Sequence, residues 1–472
     1  MENPSKPDLR RRSVVLCYLG VLLAVTVAGV LRFVISDDTV TYHFDYDIYR
    51  GGGQAVLDGA SLYNQSFQAQ GITLPFTYPP LSALVFAPLA LVSSNLGFTV
   101  FTVLSVLALL ATTVIVLNAL AGEVAGRTGF TVTRRQLTLA ALLVLPLAVW
   151  LWPVTHTLEF GQINVILMLM VAADLLLPRT PWPRGMMIGL AAALKLTPAV
   201  FGLYLLLRRQ WGPAVTSVVS GLGASALAWL VLPADSRQYW TETISDPSRI
   251  GGLAYSANQS VRGMIARFTD DPLQTGLWYV FAAVTVVLIA VVMVRLFSVG
   301  AYTAAVCTNA LLALLVSPVS WAHHWVWVLP LMLVVGVSLW TRVAAHRTGP
   351  GVIPLAVLGV VLVLVSTAFP VHVYLPSAHG AEQDWSLVMK LLGSEYVLAA
   401  LLWLGVAGVW PRVFRPVHPG AAESPGAPES PESGTELRDG NEGIAGGACS
   451  PAPGPNPVQT PPDNPDRRSA TP

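Results

Sequence analysis

An all-α, polytopic integral membrane protein is the fold class this sequence predicts, and three observations predict it. Charged residues make up 11% of the 472, against about 25% in a typical soluble domain. Hydrophobic residues make up 54%. Apolar runs recur from one end to the other, as membrane-spanning helices require. The formal net charge of +1 argues against nucleic acid as a partner. Cys17, Cys307 and Cys449 have no zinc or disulfide spacing, and no metal site is expected.

The elements follow from apolar length and from the basic residues between them. Lys6, Arg10, Arg11 and Arg12 precede the first run, residues 13–35. That run is longer than a signal-peptide core of roughly 7–15 residues. Basic residues favour the cytoplasm, so residues 1–12 are expected inside and a first polar loop, 37–79, outside. Residues 80–92 are bounded by prolines and too short to cross a core of about 30 Å at about 1.5 Å per residue. An interfacial or re-entrant piece is expected there. Residues 98–120 cross inward to Arg127, Arg134 and Arg135. Residues 137–153 go out, and 165–177 return to Arg179 and Arg184. Residues 185–207 have basic flanks at both ends, with Lys195 and Pro198 between, and predict a broken or hairpin-like pair. Residues 216–232 lead to a second outer loop, 233–275. The runs 276–297, 302–316, 325–340, 352–369 and 396–410 complete the bundle, ending at Arg412 and Arg415. About ten full spans and two short or broken elements result, 10–12 helices in all, with both termini inside. Residues 412–472 are rich in Pro, Gly and Ser, lack apolar periodicity, and predict a disordered cytoplasmic tail.

This topology gathers the chemically suggestive loops on one side, the outer face. They are "FDYDIYRGGG" with Asp45 and Asp47, "FTYPP" with Tyr78, "HTLEFGQIN" with Glu159, Gln162 and Asn164, "YSANQSVRG" with Asn258 and Arg262, and "SPVSWAHHW" with His323 and His324. A transporter would instead place its polar groups near the midplane, on related discontinuous helices. Only Lys195 and Asp174 are expected at such depth, so a flippase of lipid-linked sugars is the weaker alternative. Loops of acid, amide, His and Arg at one interface suit an enzyme whose substrate is half lipid and half polar.

Six segments in order carry a resemblance: "FDYDIYRGGGQAVLDGASLY", "LPFTYPPLSALVFAPLALV", "FGQINVILM", "GLAAALKLTPAVFGLYLLLRRQW", "NQSVRG" and "SPVSWAHHWVW". Over residues 13–411 the chain resembles the actinobacterial polyprenyl-phosphate-mannose-dependent alpha-(1→2)-mannosyltransferases, GT-C type enzymes of glycosyltransferase family 87. The resemblance implies inverting transfer of mannose from a polyprenyl-phosphate-mannose donor to a cell-envelope glycolipid or lipoglycan. It implies no cofactor, since a lipid-phosphate donor leaves no diphosphate for a divalent metal to bridge. Similar GT-C enzymes use other lipid-linked sugars such as arabinose.

The residues fit that chemistry on their own terms. An inverting transfer needs a carboxylate base on the acceptor hydroxyl and cationic or hydrogen-bonding groups on the departing phosphate. In the family's first-loop motif the acid precedes a Tyr by four residues, which implies Asp45 and Tyr49. Residues four apart share a helix face, so Asp47 would point away; it is the second candidate base and Glu159 the third. His323 and His324, about 100° apart on a helix, are expected to supply one phosphate contact or else an interfacial belt. Arg262 is a phosphate ligand or a surface residue. Lys195 binds phosphate or snorkels to the cytoplasmic interface. Gln162, Asn164 and Asn258 suit sugar hydroxyls, and Tyr78, held extended by the prolines after it, could stack on a sugar.

Overall fold

The computed structural model describes residues 43–128, 132–269, 272–345, 349–367, 370–377 and 380–415. The expected first helix at 13–35, the terminal segment 1–12 and the tail from 416 lie outside these residues.

The polar stretch after residue 42 is ordered by close packing. Helix α1 (Phe44–Asp58) carries Asp45 and Asp47 in its first turn, where the partial positive charge of the helix end favours acids. It stops at Gly59, which takes the left-handed conformation at φ 67°. Strands β1 (Ser66–Ala69) and β2 (Ile72–Pro75) form an antiparallel hairpin. Helix α2 (Pro80–Ala90) begins on proline and packs along α1. The three consecutive glycines of α1 are the contact surface. A methyl group on Gly51 would come within 2.7 Å of the Phe67 ring, on Gly52 within 2.5 Å of the Phe76 ring, and on Gly53 within 2.6 Å of the Phe86 carbonyl oxygen. Glycine costs a helix about 1 kcal/mol per residue, and here the absence of a side chain lets hairpin and α2 close on α1.

The bundle follows as α3 (Ser94–Thr128), α4 (Arg134–Val149), α5 (Trp152–Phe160), α6 (Asn164–Leu176) and α7 (Met186–Leu194). After a break at Lys195 come a 3₁₀ turn (Thr197–Phe201), α8 (Gly202–Leu207) and α9 (Trp211–Val231). The second expected outer loop contains α10 (Pro233–Thr241), short 3₁₀ turns and α11 (Val261–Ala266). Helices α12 (Leu273–Ser298) and α13 (Tyr302–Val316), a 3₁₀ turn (Ala322–Trp327), α14 (Val328–Ala344), α15 (Val352–Ser366), α16 (Val371–Tyr374), α17 (Leu387–Leu392) and α18 (Glu395–Val409) complete it.

The expected spans differ in length. Among the described residues, five helices are long and apolar enough to cross a membrane, or six if α4 and α5, bent by 76°, form one broken span. Helices α6, α13 and α18 have 13, 15 and 15 residues, roughly 20 Å each. Most of their side chains pack inside the bundle. Almost every side chain of α13 is buried in the main core, against α12 and α14. By contrast α9 exposes Val215, Val219, Leu222 and Leu230, a face suited to lipid. Residues 185–207 do form the broken pair, with Lys195 in the gap.

Gly53→Ala drives a methyl into backbone, 2.6 Å from Phe86 O and 2.8 Å from Ala87 Cα. The expected loss is about 1–3 kcal/mol, read as a lower melting temperature in detergent. Gly122→Ala in α3 has open space around the new methyl and is expected to hold or raise stability by up to about 1 kcal/mol. Equal melting points for the two variants would refute the packing role.

Candidate active site

Asp45 and Tyr49, one turn apart on α1, meet residues from distant parts of the chain. The Tyr78 hydroxyl donates to Asp45 Oδ1 at 3.2 Å. The Tyr49 hydroxyl lies 3.2 Å from the Tyr78 hydroxyl and 3.1 Å from Gln162 Oε1, and can donate to either. Gln162 follows Gly161, the left-handed end of α5, and its Nε2 donates to the Tyr78 hydroxyl at 3.3 Å. Lys195 Nζ donates to Gln162 Oε1 at 3.2 Å and to Asn164 Oδ1 at 2.8 Å, and stands 5.5 Å from the Tyr78 ring centre. Tyr49 is stacked on Phe86, with ring centres 4.2 Å apart. Asp45 is half-buried. Desolvation raises its carboxyl pKa above the ordinary 3.8, while the Gln162 hydrogen bond, the Lys195 charge and the Tyr78 hydroxyl act in the opposite sense. Burial pushes the Tyr49 and Tyr78 phenols up as well, so both remain hydrogen-bond donors.

Asp45, Tyr78, Gln162 and Lys195 share the wall of a cavity of about 1070 Å³. That exceeds the roughly 300–1,000 Å³ usual for small-molecule sites. His156, Phe160, His323 and His324 form another part of the wall. Both adjacent histidines therefore face the cavity, where one was expected. They lie in a 3₁₀ turn with a non-helical Trp325, and both line the cavity. The His323 ring meets Phe160 edge-on at 5.0 Å, and its Nε2 has no hydrogen-bond partner among the described residues. Lys195 does not snorkel away. Its ammonium points to the same wall as Asp45.

Other expected residues serve the frame. Asp47 pairs with His43 at 3.2 Å, away from Asp45, and does not line the cavity. Glu159 lies 3.7 Å from His156, one turn back on α5, and is likewise off the wall. Arg262 is neither a surface residue nor a lining one. It is buried, lies over the Trp278 ring at 4.7 Å and donates to Thr275 Oγ1 at 3.3 Å. Asn258, expected at a sugar, is fully buried. It donates to Leu253 O at 2.9 Å and Pro318 O at 3.3 Å, and accepts from Ser320 N at 3.0 Å. These bonds stitch "NQS" to "SPVSW". Arg267, 1% exposed, adds bonds to the carbonyls of Ala254, Tyr255, Ser256 and Asn258. Asp174, expected deep in a path, caps α7 by accepting from Gly185 N at 3.0 Å and Ile188 N at 3.1 Å.

Several wall residues gave no signal in the sequence. Arg249, from a 3₁₀ turn, donates to Tyr63 O at 2.9 Å. Trp152 and His372 also line the cavity. Each stands alone in the sequence without a motif, and only folding brings it to the others.

A polytopic helical bundle with a carboxylate, an ammonium and imidazoles on one large cavity is a membrane enzyme by fold and site. The sequence profile of glycosyltransferase family 87 matches residues 76–318, and the chain belongs to that family. Over 403 residues it is 39% identical to a polyprenol-phosphate-mannose-dependent alpha-(1-2)-phosphatidylinositol mannoside mannosyltransferase of Mycobacterium tuberculosis, covering 84% of this chain and 91% of the relative. A pentamannoside mannosyltransferase of the same species is 31% identical over 403 residues, 85% of this chain and 88% of the relative. Among solved structures, ArnT from Cupriavidus metallidurans bound to undecaprenyl phosphate aligns at 14% identity and a TM-score of 0.31, over 85% of this chain and 77% of that one.

Asn258→Ala leaves the Ser320 N–H and the Leu253 carbonyl without their partner, while Pro318 O keeps the Ser260 hydroxyl. Each buried group left unpaired costs roughly 1–3 kcal/mol, so a melting temperature several degrees lower is expected. A substrate ligand would instead lose affinity with its melting point unchanged, and that outcome would return Asn258 to the site.

Proposed function

We propose that the protein transfers mannose from polyprenol-phosphate-mannose to the 2-hydroxyl of a mannose on a phosphatidylinositol mannoside, with inversion, at the outer face of the plasma membrane. The observation that carries the proposal is the convergence of Asp45 and Lys195, through Tyr78 and Gln162, on one wall of a cavity large enough for two substrates. The relatives' names support the donor and the acceptor class.

In this reading Asp45 takes the proton of the acceptor hydroxyl as its oxygen attacks the anomeric carbon. The bond from that carbon to the phosphate oxygen breaks from the opposite face, and its electron pair leaves with the lipid phosphate. An ammonium has three donors, and Lys195 uses two of them on Gln162 and Asn164. The third is available to a phosphate oxygen, and His323 or His324 can add a further contact. Tyr78 orients the Asp45 carboxylate, and Tyr49 holds Tyr78 and Gln162. Lys195 and the imidazoles meet the charge that a divalent metal would otherwise meet, so no metal is proposed. The outer-face assignment is supported by charge distribution. Arg134, Arg135, Arg184, Arg208, Arg342 and Arg412 sit near helix ends, none of them on the cavity wall, as the positive-inside rule favours for cytoplasmic ends.

The test is transfer by purified protein in liposomes with polyprenol-phosphate-mannose and phosphatidylinositol mannoside, in the presence of chelator. Activity with GDP-mannose alone, or none with the lipid donor, overturns the proposal. Asp45→Asn keeps shape and removes the base, and is expected to lower turnover by about 10²–10⁴-fold. Wild-type turnover in that variant, with Asp47→Asn inactive, would move the base by two residues.

The pH profile follows from the raised Asp45 pKa. The reaction uses the ionised carboxylate, so activity falls as pH drops through a value above the ordinary carboxyl range. Lys195 holds that pKa down, so Lys195→Met is expected to shift the acid limb to higher pH as well as lower turnover. An unshifted limb would detach Lys195 from Asp45.

A further inference from the structure

One part of the cavity wall has no role in the reaction above. His372, on α16, and Glu395, the first residue of α18, are 1% and 5% exposed, with Nδ1 and Oε1 2.7 Å apart. Glu395 Oε2 also accepts from the His372 backbone N–H at 3.2 Å. His372 lines the cavity and Glu395 does not, so the carboxylate holds the ring from behind. Trp152 meets the His372 ring edge-on at 4.9 Å and stacks on His156 at 3.7 Å. His372 Nε2 is buried and has no hydrogen-bond partner among the described residues.

A buried polar atom left unpaired costs about 1–3 kcal/mol. At a cavity wall, a bound molecule can remove that cost. The carboxylate on Nδ1 decides the kind of molecule. Glu395 occupies Nδ1 and fixes the ring, so Nε2 is the atom left to meet a ligand, and with a carboxylate already on one side the contact that suits an anion is a charge-assisted hydrogen bond. We propose that His372, oriented by Glu395, binds a phosphodiester oxygen of a lipid substrate, as an anion contact separate from Lys195. The inference rests on the proposed reaction for the identity of the lipids. The donor carries a mannosyl phosphodiester and the acceptor a glycerophosphoinositol diester. His372 is a binding residue and Glu395 a positioning residue.

The experiment is direct titration of the purified full chain in detergent with two probes, polyprenol-phosphate-mannose and phosphatidylinositol. H372N keeps an amide near the place of Nδ1, where Glu395 can still hold it, and removes Nε2. H372Q puts an amide donor near the place of Nε2. The expected result is that H372N melts like wild type yet binds one of the two lipids about tenfold more weakly, while H372Q regains most of that affinity. The lipid affected identifies the phosphodiester. Wild-type affinity of H372N for both lipids overturns the proposal. So does a loss in H372Q alone, which marks the pair as a structural pin of α16 to α18. Should H372N not fold, E395Q is titrated instead. Weaker binding of one lipid supports the proposal, and unchanged affinity for both overturns it. Binding is read without turnover, so a failure of mannosyl transfer and a failure of this contact are told apart.

Discussion

A charge inside an apolar bundle has to be paired, and Lys195 is the one around which the site is arranged. The chain breaks its helix at this residue, with φ −149° and ψ 122°, and Pro198 keeps the next turn from continuing α7. The ammonium then needs acceptors, because removing an ion from water is costly unless partners replace the solvent. Gln162 and Asn164 supply them from the turn after Gly161. Gln162 passes the constraint on to Tyr49 and Tyr78, and Tyr78 to Asp45. The carboxylate is thereby tied to the lysine through neutral polar groups.

That network requires the first polar loop to be rigid. Three glycines on α1 let the hairpin and α2 approach to distances that any side chain would prevent, and the aromatic rings of Phe86, Phe98 and Phe101 close over Tyr46 and Tyr49. The opposite wall is fixed by a different device. Asn258, Gln259 and Arg267 spend their donors on backbone carbonyls of loops that carry little regular hydrogen bonding of their own. Buried polar groups of this kind are satisfied almost without exception in stable folds. Among the described residues, the buried atoms that remain unpaired at the wall, Arg249 Nε, His323 Nε2 and His372 Nε2, are therefore the informative ones.

The apolar runs were legible as helices, and residues 185–207 as a broken pair. Which of those helices face lipid and which face protein was not. Residues 302–316 and 396–410 have the composition of spans, yet α13 and α18 are buried among other helices. A helix hydrophobic all round reads the same whether lipid or protein surrounds it. The tilt between α4 and α5 was equally hidden, because the bend of 76° sits at a junction of apolar residues.

For the site, the sequence by itself determined the membrane class, the polar segments that carry chemistry, and the helix face that separates Asp45 and Tyr49 from Asp47. These depend on composition and on a period of 3.6 residues, both local properties. Tertiary structure alone decided that Lys195 turns to Asp45 and not to an interface, that both His323 and His324 face the cavity, and that Asn258, Arg262 and Glu159 do not. It also brought in Arg249 and His372. Periodicity states which side chains share a face and is silent about what that face meets. Contacts between residues 45, 78, 162 and 195 depend on how helices far apart in the chain pack against one another, and that packing is a property of the whole bundle.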